Sequence, residues 1–127
     1  MYDECGGTND GPMTLIVEPN HSGHRLYYAA LVARWCRSKG QSVAILTTAE
    51  AVDSQQWATH LASETLGIIL NPPDAFSLPD IKKAAIEAQA VLTLLPDGDR
   101  YLLPILRHGW SGPGELSLLV MRVDGQA

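Results

Sequence analysis

Aromatic residues, cysteine and positive charge are all scarce in this chain. Its 127 residues include one phenylalanine and two cysteines. Cys5 and Cys36 form no CxxC pair and have no metal-ligand spacing, so a disulfide scaffold and a zinc site are excluded and two free thiols are expected. Nine Lys and Arg stand against fourteen Asp and Glu, for a net charge of −5, which makes a nucleic-acid backbone a poor partner. No apolar run approaches the ~20 residues that cross a bilayer. The N-terminus lacks the basic-then-apolar order of a secretory signal, so the expected compartment is the cytoplasm.

Glycine fingerprints are missing too. No GxxxxGK[ST] loop occurs, which excludes a Walker-type phosphate cradle. A dinucleotide loop needs GxGxxG, and the corresponding loop here carries only Gly23. Thr47 and Thr48 stand where an acid would meet a ribose. A receiver domain would need an acidic pair after the first strand and an aspartate after the third, but Glu18 lies within the first and Asn71 follows the third. No cofactor is expected.

What remains is an ordinary globular composition, 46% hydrophobic and 18% charged, in a chain of single-domain length. Residues 1–12 are polar, glycine-rich and without periodicity; they read as a mobile extension ahead of one domain over residues 13–127. Within that domain short apolar runs alternate with helical patterns. Strands are expected at residues 15–18, 42–47, 66–70, 91–95 and 116–121. Helices are expected at about 23–39, 49–64, 79–89 and 99–108. Gly40 closes the first helix, and Pro79 with Asp80 opens the third.

Strands this apolar are buried on both faces, and helices between them imply parallel crossovers. The fold class is therefore α/β, an open doubly wound parallel sheet of the Rossmann-like three-layer kind. With four helices and right-handed crossovers, the order 2-1-3-4-5 leaves one helix alone on a face. The order 3-2-1-4-5 places two on each, and is the one expected. Strands one and four then lie side by side, and the switch point opens between their carboxyl ends.

Two loops would line that crevice, residues 19–24 and residues 96–99. His21 and His24 are the candidate acid/base groups, since a loop-borne imidazole can take a proton or bind a hydroxyl. Asn20, Ser22, Gly23, Arg25, Asp97 and Gly98 are the candidate substrate-binding residues. Plainer roles exist for each: Asn20 or Ser22 as a helix cap, Gly98 as a turn, Asp99 as the cap of the fourth helix. His60 and His108 sit at a helix surface and a helix end. Two histidines without further ligands make no metal site.

Residues 15–31, LIVEPNHSGHRLYYAAL, resemble the opening strand, loop and helix of GT-B glycosyltransferases, whose N-terminal domain often starts with an SGH- or GGH-containing loop. The resemblance implies the acceptor-side half of a sugar-transferring enzyme, with Ser22, Gly23 and His24 beside the reacting sugar. The donor-binding second domain of that family is missing here. A chain of this kind would be inactive alone and would meet a sugar acceptor or nucleotide-sugar only together with that half. The alternative is a stand-alone α/β ligand-binding or protein-interaction module without catalytic activity, whose strand-one loop takes a small anion or a partner. An acid/base pair of His21 or His24 with Asp97 is a third option, and no nucleophile accompanies it. The free edge of strand five would suit a homodimer, and an apolar patch beside that strand would mark a missing half.

Overall fold

The computed structural model describes residues 11–95 and 101–118. Among these, five strands form one all-parallel sheet: β1 (Met13–Val17), β2 (Ser42–Thr47), β3 (Gly67–Leu70), β4 (Ala90–Leu95) and β5 (Glu115–Leu118). Their order across the sheet is β3-β2-β1-β4-β5, as the distribution of helices predicts. The helices are α1 (Arg25–Ser38), α2 (Ala49–Val52), α3 (Gln55–His60), α4 (Leu78–Ala88) and α5 (Leu102–His108).

Period-two alternation along β1 sends its side chains to two separate cores. Leu15 and Val17 join Leu46, Phe76, Ile81 and Ala85 under α4 and α5. Ile16 joins Leu26, Val43, Ile45, Trp57 and Leu61 under α1 and α3. Each fully buried aliphatic side chain contributes roughly 1.5–3 kcal/mol. Such strands cannot slip by one residue without exchanging the two cores, which fixes the register Met13 to Ser42 through Val17 to Leu46.

Local chemistry sets the helix ends. Ser77 and Asp80 form a reciprocal capping box at the start of α4, whose Pro79 sits in the first turn. α1 stops at the left-handed Gly40, whose φ of 81° costs a glycine nothing. The single helix expected over residues 49–64 is broken in two. Ser54 turns its hydroxyl to cap α3, accepting from Trp57 N at 3.1 Å and donating to Ala51 O at 2.6 Å. A serine that bonds its own backbone competes with helix continuation.

β4 carries an irregularity against β1, where Met13 faces Ala90 and Thr14 faces Leu92. The extra residue, Val91, is pushed outward, and its backbone lies so close to Gly114 (φ 65°) that a Cβ there would collide with the Val91 carbonyl. At the other end of the chain, Pro12 O accepts from Ser42 N at 2.9 Å, which ties residue 12 to the start of β2. Residues 1–10, most of the expected extension, lie outside the described part, as do 119–121 of the expected fifth strand.

Candidate functional site

β1 ends in a buried acid. Glu18 is 1% exposed, at the place where the apolar run gives way to Pro19. Its amide donates to Leu46 O at 2.9 Å, and its carbonyl accepts the Thr47 hydroxyl at 2.6 Å. Its carboxylate Oε2 accepts from Asn20 N at 3.1 Å. The strand end is thus fastened to β2 before the loop begins.

The loop itself is an Asx turn. Asn20 Oδ1 accepts from Ser22 N at 2.8 Å and from Ser22 Oγ at 2.7 Å. Gly23 follows with φ 62°, and His24 stands at the N-cap of α1 with no side-chain capping bond. No side chain of the cap residue therefore shields the first-turn amides of α1, where the helix dipole is positive. Arg25 is half-buried at the first helical position.

The two histidines go different ways. His24 is exposed and stands edge-on to Tyr28, with ring centroids 6.3 Å apart. His21 reaches across to α2, its Nε2 lying 4.0 Å from Glu50 Oε2. At that distance, with Glu50 75% exposed, the pair orients the ring more than it stabilises the fold. Beyond Glu50 a hollow of about 290 Å³ is walled by Thr48, Leu70, Asn71 and Pro72. Thr48 Oγ1 caps α2 by accepting from Ala51 N at 3.0 Å, and Asn71 spans the strand-three loop with a bond to Ala75 O at 2.9 Å.

Of the sequence-derived candidates, Asn20, His21, Ser22, Gly23, His24 and Arg25 form one contiguous loop over the carboxyl end of β1. β4 is the neighbour of β1, so the exit of β4 faces the same crevice. Asp97 and Gly98 lie outside the described residues. The sequence reading passed over Glu18 and Glu50 as site residues. An acid closing an apolar strand was a visible signal for the first; nothing in the local pattern marked the second. Ser22 Oγ gives its proton to Asn20, and among the described residues no imidazole bonds to it. Among the described residues no group of three His, Cys, Asp or Glu side chains could hold a metal ion.

No protein-family model and no curated protein sequence matches the chain. A solved structure does match in fold, a universal stress protein from Archaeoglobus fulgidus. The two align with a TM-score of 0.50 and 15% identity, over 91% of this chain and 97% of that one. The fold is similar to that of a universal stress protein. This overturns the likeness to the N-terminal half of a GT-B glycosyltransferase, and with it the reading of a transferase fragment. That likeness rested on a strand, a polar loop and a helix, a unit common to doubly wound sheets. The structure also gives Ser22 and Gly23 local reasons to be there: one closes the Asx turn, and the other supplies its positive φ.

Proposed function

We propose that the chain is an α/β ligand-binding module without catalytic activity, which takes a small phosphate-bearing molecule over the strand-one loop. The observation that carries this reading is the reversal of strand order at β1 and β4, with the uncapped start of α1 standing at the switch point. Ligands of open α/β sheets seat in such crevices, and helix N-termini favour anions there. Glu50 and His21 on the same rim suit hydroxyl groups, so a sugar phosphate fits better than a bare anion. His21, Ser22, Gly23, His24 and Arg25 bind rather than react, because no activated nucleophile accompanies them among the described residues. The buried free thiol of Cys36 accords with a reducing, cytoplasmic setting.

Calorimetric titration with ribose 5-phosphate tests the reading. Saturable binding is expected, weakened about tenfold by Asn20→Ala, since one lost loop-shaping interaction is worth about 1.4 kcal/mol. Absence of heat at millimolar ligand, or equal affinity in Asn20→Ala, would sink it.

A second reading, that the module also pairs with a copy of itself, is favoured by one observation. On the α1 face an apolar hollow of about 490 Å³, lined by Leu31, Trp35, Leu92 and Leu94, runs beside the edge strand β5. Leu31 is 40% and Trp35 58% exposed. An edge strand next to uncovered apolar surface invites pairing. Sedimentation should show a dimer that Trp35→Glu dissociates; a monomer at high micromolar concentration would refute it.

A further inference from the structure

A groove of about 680 Å³ lies on the opposite side of the sheet, between the start of α4 and the helix α5 with its following loop. It shares no residue with the strand-one loop. Phe76, Leu78, Pro104 and Trp110 provide apolar and aromatic walls, and Lys82 and Asp74 also line it. Its floor is fixed, because the buried Tyr101 hydroxyl donates to Phe76 O at 3.0 Å.

One cation lines this groove, and it has no partner among the described residues. The indole Nε1 of Trp110 is enclosed and has no hydrogen-bond partner. Lys82 is half-buried and forms no ion pair among the described residues, whereas the other lining charge, Asp74, is exposed. Solvent screens Asp74 more than it screens Lys82. The Trp110 ring packs directly over Gly112, where a Cβ would collide with it, so the aromatic wall is held in place. The volume falls within the range of small-molecule sites, in which apolar walls hold the body of a ligand and a few polar groups orient it.

We propose that the groove between α4 and α5 is a second binding site, for a small aromatic carboxylate. The ring lies between Phe76, Pro104 and Trp110. The carboxylate accepts from Lys82 Nζ, a charge-assisted bond.

Indole-3-acetate serves as the probe, followed through the tryptophan side-chain N–H signals, with that of Trp110 assigned by its loss in Trp110→Phe. The Trp110 signal should move saturably while those of Trp35 and Trp57 stay in place. Lys82→Met should weaken binding about tenfold or more. Lys83→Met, which removes an exposed neighbouring charge outside the groove, should leave it unchanged. Indole-3-acetamide, equal in shape but uncharged, should bind as weakly as the acid binds to Lys82→Met. An unmoved Trp110 signal, equal effects of the two lysine variants, or an amide that binds as tightly as the acid would each overturn the proposal.

Discussion

Thr47→Val isolates the bond that fastens the floor of the crevice. Thr47 is fully buried at the carboxyl end of β2, and its hydroxyl donates to the Glu18 carbonyl at 2.6 Å. Valine keeps the branched shape and the strand preference, so the change is close to a pure loss of donor. It sets a methyl group against a carbonyl oxygen that water does not reach. Withdrawing one partner from a buried hydrogen bond costs about 1–3 kcal/mol. For 127 residues the unfolding entropy near 60 °C is about 0.27 kcal/mol/K, so the melting temperature should fall by roughly 4–11 °C. Thr59→Val is the matched control. Its hydroxyl also donates to a carbonyl, that of Gln55 at 2.9 Å, but on an exposed helix surface. Loss there should stay within about 0.5 kcal/mol. Scanning calorimetry on both variants decides between burial and mere bond count. Equal shifts for the two would refute the claim that the strand ends are locked by a desolvated bond.

Other perturbations follow from the same packing. Ile45→Ala removes a side chain 1% exposed between β2 and α1 and should cost about 2–5 kcal/mol, while Ile68→Ala on edge strand β3, 47% exposed, should cost under about 1 kcal/mol in urea unfolding. Ser77→Ala should destabilise α4 by about 0.5–2 kcal/mol near neutral pH. The side-chain bond from Ser77, then its backbone N–H, and a smaller contribution from Lys83 hold the Asp80 carboxyl below its ordinary range. That part of the stability is present above the unfolded pKa and is lost as pH falls through the lowered folded value, so the gap between wild type and Ser77→Ala should narrow in acid. Burial pushes the Cys36 thiol up, with the Thr14 hydrogen bond opposing it. Alkylation of Cys36 should therefore be slow in the native state and rapid in denaturant; equal rates would contradict its burial.

Much of the fold was legible because apolar runs this uniform, such as Ser42–Thr47 with every residue buried, can only be strands covered on both faces. Counting helices per face then sufficed to choose the strand order. The break within residues 49–64 was not legible, since Ser54 suits a helix surface until its hydroxyl turns back on the chain. Of the site, the loop at residues 20–25 could be placed from its position between strand and helix. The approach of His21 to Glu50 depends on tertiary placement that no local pattern encodes. The SGH tripeptide misled because turn chemistry recurs wherever a strand hands over to a helix; its residues answer to backbone geometry before they answer to a substrate.

Backbone amide spectra recorded during titration with ribose 5-phosphate test the central claim most directly. The account predicts saturable shifts concentrated at residues 20–27 and 48–50, with the α4–α5 groove unaffected. Shifts confined to other surfaces, or none at millimolar ligand, would show that the crevice over β1 is not where this protein meets its ligand.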